Sequence, residues 1–491
     1  MGDRTAQADV FDVVIIGNGT AAAGAVVRLK ERFRREPASP LRALVLEAMT
    51  EQDRAALMPE YNARVTFPAD LPGALPDLGR TVITWYDKVA YYSHGDPVRK
   101  TLPPGRVALV DVNGLIDLAE RDLPPQIEIR WHKQVCDASY SALPDGSEVI
   151  ELTVQYPFGP EKVFEETDRI RARVVIDCAG TGSLLLDKMQ GYRNDSAIVC
   201  GVLAFKVLGA KVPDPHEVSL GLDDSITHGA GSWSYPNAGL SAAMTDYLER
   251  WFKTTTNVRL RALVDGRPPA AFAGTICDVG ISSIAPYANA QHYQRNLERQ
   301  ADELFQELRG YRDMFPGAAV IPGSAFFKPS PVLQPVGQMA GRRYMLAGDA
   351  AGHATPYIGE GVRPGMVMGH AAAGIALDAL ASGDFSGDTL RRRFEDAWWE
   401  RFGRYDIWSD LFRNFSSTCF SDTEWDAFFL KLRTLSPDEF YLVLRSEYNV
   451  DIVRKMFPYG LVPHYVSYQA RSAVDFFRRR LTARQVVSWI R

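Results

Sequence analysis

At 491 residues the chain is long for one domain, and 46% hydrophobic against 23% charged residues is the balance of a globular protein with a substantial core. A net charge of −5 excludes the basic excess of a general nucleic-acid binder. The five cysteines (Cys136, Cys178, Cys200, Cys277, Cys419) never form a CxxC pair, which excludes a disulfide framework or zinc site and suits reduced thiols in the cytoplasm. Asp3, Arg4 and Asp9 precede a first apolar run too short for a signal peptide. No uninterrupted apolar stretch approaches the ~18–20 residues of a membrane span.

In chain order, Phe11 to Ile16 is predicted to be a buried parallel strand, rich in β-branched residues. Gly17 to Gly19 turn the chain, Thr20 to about Arg34 has helical composition, and Leu41 to Leu46 is a second buried strand ending on Glu47. Residues 51–110, with many prolines and glycines, are expected to be an irregular excursion. A helix over Asn113–Leu123, a strand over Ile127–Trp131 and meander strands to about Phe164 follow, and Val174–Ile176 leads into Asp177-Cys-Ala-Gly. From about 196 to 335 the texture is strand-like, with a polar helix near 287–310. Tyr344–Ala347 returns to a buried strand, Gly361 to about Leu380 is a helix rich in small residues, and the chain after 387 is helical.

The segment Gly17-Asn-Gly19-Thr20-Ala-Ala22 fits GxGxxG/A between a strand and a helix. Gly17 permits the tight turn, Gly19 lets a pyrophosphate approach the backbone, and Ala22 allows close helix–strand packing. Glu47 ends the next strand, where an acidic residue accepts hydrogen bonds from a ribose. A second segment, Gly348-Asp349 through Pro356, Gly359 and Gly361, ends a strand in a glycine-rich turn that launches a helix. An aspartate there can bond a polyol hydroxyl, and a helix N-terminus favours negative charge on a ring facing it.

These two segments, with Val174-Val-Ile-Asp-Cys-Ala179-Gly180 and Trp233-Ser-Tyr235-Pro236, resemble the geranylgeranyl-reductase-like flavoproteins, in the superfamily that includes the aromatic hydroxylases. The resemblance spans about residues 11–385. It implies an α/β fold: a Rossmann-like FAD-binding domain (1–195 and 336–385), an inserted sheet-containing substrate domain (196–335) and a helical C-terminal region (386–491). It implies FAD held by Gly17, Gly19, Thr20, Ala22, Glu47, Ala48, Asn113, Val135, Ala179, Gly180, Gly348, Asp349, Pro356, Gly359, Gly361 and Val362, with Trp233 and Tyr235 lining a substrate cavity. The chain departs from the pattern in three places. Ala179-Gly180 stands where the aromatic hydroxylases carry Asp-Gly. Val112 and Asn113 replace the arginine usual before the helix, and the WxWxIP segment of flavin halogenases is absent.

The implied activity is an FAD-dependent oxidoreductase acting on a fairly large apolar or aromatic small molecule by hydride transfer at flavin N5. A monooxygenase, a redox-neutral cyclase or isomerase, and an electron-transfer protein without a small-molecule cavity stand as alternatives. With one dinucleotide fingerprint, electrons would come from visiting NAD(P)H or from a partner reductase. His353, Tyr357 and Glu360 are the candidate proton donors beside the ring. Trp398 and Trp399 are expected to pack rather than bind substrate. The basic-aromatic stretch from Phe476 to Trp489 suits a solvated helix; peripheral membrane contact there is open but not favoured.

Overall fold

The computed structural model describes residues 9–456 except 74, 76, 94–95, 157–166, 192–197, 222–230, 287–312 and 333–336. The polar helix near 287–310 and the Phe476–Trp489 stretch lie outside the described residues. Five strands run parallel in the order β19 (Tyr344–Leu346), β11 (Thr167–Asp177), β1 (Asp9–Ile16), β2 (Ala43–Leu46) and β8 (Ile127–Arg130). The continuous apolar runs are explained by burial on both faces: Val13 to Ile16 and Ala43 to Leu46 are all at or below 5% exposure. The side of β11 away from β1 is shared. β10 (Glu148–Gln155), itself paired with β9 (Gln134–Ala142), covers its first half antiparallel, and β19 covers its last three residues. A short hairpin partner, β18 (Ala340–Gly341), closes the edge beyond β19.

The first helix, Thr20–Arg35, connects β1 to β2, and the long helix Val362–Ser382 packs on it. Two glycines set their separation. A Cβ on Gly24 would lie 2.0 Å from the Met366 carbonyl oxygen, and one on Gly369 would lie 1.8 Å from that of Ala21, so the backbones touch directly. Sequence reading assigned the close approach to Ala22, which is indeed fully buried, but the tighter contact is helix on helix. Val362–Ser382 is long and apolar enough to cross a membrane by length and composition, and most of its apolar window is buried inside the protein.

The second sheet has the order β16 (Ala319–Val320), β12 (Ile198–Leu208), β15 (Ile276–Pro286), β14 (Gly231–Asn237), β13 (Glu217–Gly221), β5 (Lys88–Tyr92) and β6 (Val98–Thr101), with β17 (Phe326–Val332) also on β12. A three-stranded sheet, β3 (Ala63–Thr66), β7 (Val107–Asp111) and β4 (Val82–Tyr86), stands beside it. Residues 51–110 are therefore not an irregular excursion: they carry five strands. Each is only four or five residues long, too short for a local period to announce it, and β5 takes its second partner from distant chain, Lys88 pairing with Glu217. The second sheet consequently draws on chain from before residue 196.

After residue 387 the described chain is helical, as its composition suggests. Capping boxes at Ser421/Glu424 and Ser436/Glu439 start two of these helices. Phe412, Trp425, Phe428, Phe429 and Phe440 pack against Phe67, Val89, Tyr91 and Val98, covering the β5–β6 end of the second sheet. Trp398 and Trp399 are buried in the core that joins this region to the first sheet. Helix geometry widens over Trp399–Gly403, where a Cβ on Gly403 would meet the Trp398 ring at 2.5 Å.

Candidate active site

Ligands of open parallel sheets bind beyond the carboxyl ends of the strands, where the order reverses. Here the reversal lies at β1, between β11 and β2, and the glycine-rich turns follow those ends. Gly17 follows β1, Glu47-Ala48 follows β2, Val135 comes shortly after β8, Ala179-Gly180 follows β11 and Gly348-Asp349 follows β19. All of them line one cavity of about 710 Å³, with Thr20, Pro356, Gly359, Gly361 and Val362.

Gly17 has φ +84°, and a Cβ there would press on the Cys178 carbonyl oxygen at 2.8 Å. Gly19 differs: its φ is an ordinary −94°, and a Cβ would meet no atom within 4 Å. That empty volume borders the uncapped N-terminus of the first helix, the arrangement that receives a pyrophosphate. The Glu47 carboxylate accepts backbone N–H bonds from Asn18 (2.8 Å) and Met49 (2.7 Å), so it shapes the turn besides facing the cavity. On the far side Gly348 (φ +67°) and Gly359 (φ +68°) bend the loop that carries Asp349, and Gly361 caps the long helix without a side chain.

The cavity continues from these turns to one face of the second sheet. Strand register places Lys206, Asp278 and Tyr235 in one row across β12, β15 and β14, and Ala204, Gly280 and Trp233 in the next. The Trp233 and Tyr235 rings stack, with centroids 6.1 Å apart and planes 23° apart. The indole lies flat because its cross-strand neighbour is Gly280, where a Cβ would sit 2.1 Å from the ring. Pro236 stands one residue before the end of β14, which is interior to the sheet. It is tolerated because β13 pairing stops at Ser234, leaving no partner strand on that side among the described residues.

The three candidate proton donors are placed very differently. Tyr357 lines the cavity, its ring against Phe412 and Tyr448, and its buried hydroxyl has no hydrogen-bond partner among the described residues. Burial holds its pKa well above the ordinary value, so it stays a neutral donor. Glu360 also lines the cavity, but its carboxyl accepts from the Thr66 hydroxyl (3.0 Å) and from the Arg363 backbone N–H (2.7 Å). Arg363 in turn bonds Glu447 at 2.9 Å, and burial raises the Glu360 pKa against that cation. Glu360 thus anchors the loop to the C-terminal helices. His353 does not line the cavity. It is buried against Phe394 with neither ring nitrogen partnered among the described residues, and burial pushes its pKa down to about 3.

That burial has a measurable signature. The unfolded imidazole takes a proton below about pH 6.5, while the folded one stays neutral until about pH 3, so stability falls as pH drops through this window. His353→Leu should remove up to about 1.4 kcal/mol per pH unit from that slope. Urea unfolding at pH 7, 5.5 and 4.5 reads it; equal slopes in both proteins would show that His353 is not held neutral.

No family model matches the chain. A digeranylgeranylglycerophospholipid reductase from Methanopyrus kandleri is 36% identical over 74 residues, which is 15% of this chain and only 18% of that relative. The structural likeness is far broader. A geranylgeranyl bacteriochlorophyll reductase-like protein from Thermoplasma acidophilum superposes with a TM-score of 0.64 over 94% of this chain and 99% of its own, at 14% identity. The chain has the fold of this reductase-like protein. The myxobacterial chondrochloren halogenase shares it (TM-score 0.56, 14% identity, 90% of this chain and 91% of its own). So does the halogenase PltM, solved with phloroglucinol and FAD (TM-score 0.53, 14% identity, 86% of this chain and 79% of its own).

Of the residues singled out from sequence, Asn113 does not line the cavity; Val112 and Ile116 do. Asp111 caps the helix Val112–Glu120, which puts residues four apart on the cavity side and turns Asn113 about 100° away. Ala22 stays in the core behind the turn. Sequence reading missed Tyr91, Arg64, Lys206 and Asp278, which line the same cavity as Trp233 and Tyr235. Alternation along β12 and β5 could have flagged Lys206 and Tyr91 as facing one side, but not which side.

Proposed function

We propose that the protein is an FAD-dependent oxidoreductase acting on a fairly large apolar or aromatic small molecule. Continuity of the cavity carries this reading: one space joins the phosphate turn at Gly17–Thr20 to the aromatic face of Trp233 and Tyr235. Bound FAD would supply hydride transfer at its N5 atom. The chain's own residues do the rest. Backbone N–H groups after Gly17 hold pyrophosphate, Glu47 takes the adenosine ribose and Asp349 a ribityl hydroxyl. Trp233 and Tyr235 offer a flat apolar wall, and burying ligand surface there stabilises binding by about 25 cal/mol per Å². Tyr357 is the favoured proton donor, because it alone of the three candidates reaches the wall with a hydroxyl not engaged by described residues. Electrons come from visiting NAD(P)H or from a partner reductase.

The purified protein should be yellow and release FAD on denaturation. Anaerobic reduction with NADH and NADPH, followed by separate exposure to oxygen and to candidate substrates, tests the reaction class. Substrate-driven reoxidation without oxygen is expected. Oxygen consumed in proportion to product would make it a monooxygenase, and turnover with no net electron transfer a cyclase or isomerase. Glu47→Ala and Asp349→Ala should each weaken FAD binding about ten- to a hundred-fold, the worth of a charge-assisted hydrogen bond. FAD titration reads this, and unchanged affinity in both would move the cofactor elsewhere.

A further inference from the structure

Resting on the reading above, we propose that Gly280 determines the specificity of the cavity: its missing side chain lets the Trp233 indole lie face-down on the second sheet, and the other face of that ring takes a planar conjugated ligand. Gly280 stands inside β15, which is hydrogen-bonded to β12 on one side and β14 on the other. Glycine weakens such a strand, because it has no side chain to pack and loses more freedom on folding. Its φ is not positive, so the backbone itself does not ask for glycine. The indole does.

A Cβ at position 280 would lie 2.1, 2.4 and 2.7 Å from Cζ2, Cε2 and Cη2 of Trp233. The two flanking atoms are little farther than the central one, so the approach is to the face of the ring; an approach along its edge would hold them clearly farther off. Across the sheet this row reads Ala204, Gly280, Trp233, Leu220 and Tyr91, and the ring leans over the small pair rather than the large one. Ser232 and Ser234, on the opposite face of β14, are buried, whereas Trp233 and Tyr235 keep partial exposure and line the cavity. One face of the indole therefore rests on the sheet and the other meets the cavity, with the Tyr235 ring inclined only 23° to it. A flat π-surface favours a flat partner: stacking adds to what burial of area contributes, and a saturated ring gains the area alone. The class selected is an aromatic or conjugated-polyene molecule with its planar part over Trp233. Because β15 is held on both sides, a methyl at 280 would move the ring rather than the strand. The indole would have to rise into the cavity by roughly 1.5 Å to regain van der Waals separation.

Calorimetry at neutral pH with 2-naphthol and its saturated counterpart decahydro-2-naphthol tests this, on the protein with and without FAD. The unmodified protein should prefer 2-naphthol by about two- to tenfold, the worth of a stacked pair. Gly280→Ala should weaken 2-naphthol by about five- to a hundred-fold and erase the preference, while FAD affinity stays unchanged. In a Trp233→Ala background, where the methyl has no ring to lift, Gly280→Ala should change 2-naphthol binding little. No preference in the unmodified protein, or a Gly280→Ala effect of the same size with and without Trp233, would overturn the proposal. So would a Gly280→Ala protein that fails to fold, since the indole would then be fixed in the core rather than free to rise into open space. Failure of the cofactor reading is seen separately, in the FAD titration of the unmodified protein, because the naphthol comparison also runs without FAD.

Discussion

Gly369→Ala should cost about 3 kcal/mol or more of stability and sharply lower the yield of folded protein. The added methyl would lie 1.8 Å from the Ala21 carbonyl oxygen and 2.7 Å from its carbon, both backbone atoms that no rotamer change can move. Room can come only from separating the first helix and Val362–Ser382, which also meet at Gly24 and Met366. Overpacking costs about 1–3 kcal/mol where side chains can adjust, so a backbone contact belongs at or above the top of that range. Against a total stability of about 5–15 kcal/mol this is a large share. Gly374→Ala on the same helix is the control: its methyl would approach only the Arg28 side chain, at 3.3 Å, and alanine is the better helix former. Urea unfolding of the two variants decides the matter. Equal stability would mean that the helices do not touch through their backbones.

Gly19→Ala should do the reverse, leaving the fold intact and removing the cofactor. Its backbone, at φ −94° and ψ −164°, is open to alanine, and the methyl would meet nothing within 4 Å. Nothing inside the protein therefore demands glycine at this position. If the space is where the pyrophosphate approaches the first helix, the methyl competes with it, and a clash of about 1–3 kcal/mol lowers FAD affinity by roughly five- to a hundred-fold. Thermal unfolding of the apoprotein should be unchanged, while FAD titration shows the loss. Normal FAD binding would place the phosphates away from this turn.

The contrast between these glycines shows what was legible in the sequence. The β1 turn, Glu47, Ala179-Gly180 and the Gly348–Gly361 loop were readable because each is punctuated locally, by a buried strand ending in glycines. The same holds for the helix over 362–382. That Gly369 meets Ala21 was not readable, since small residues mark a close approach but not the partner. Strands β3 to β7 were hidden because four or five residues are too short for a local pattern, and β5 finds its second partner only in distant chain, Tyr91 with Leu220. Asn113 was off by one helical position, which a cap at Asp111 rather than Val112 explains. His353 looked reactive from its place beside the loop, yet the loop folds it inward onto Phe394. Arg64, Lys206 and Asp278 come together only through the register of the second sheet and its neighbour.

The shared edge of β11 has a consequence for how the protein is made. A ribosome delivers β1, the first helix and β2 early, and β11 can add to them once residue 177 has emerged. The last three residues of β11 then wait for Tyr344–Leu346, and the first helix waits for Val362–Ser382. Until residue 382 is out, the alanine face of the first helix and a parallel strand edge have no cover, while all of the second sheet but β5 and β6 is synthesised in between. Such exposure of apolar surface and unpaired strand favours association between nascent chains. Slower synthesis at lower temperature, or extra chaperone capacity, should therefore raise soluble yield more than supplying FAD does, because the last of the turns proposed to hold it, Gly348–Gly361, follows the second sheet in the chain.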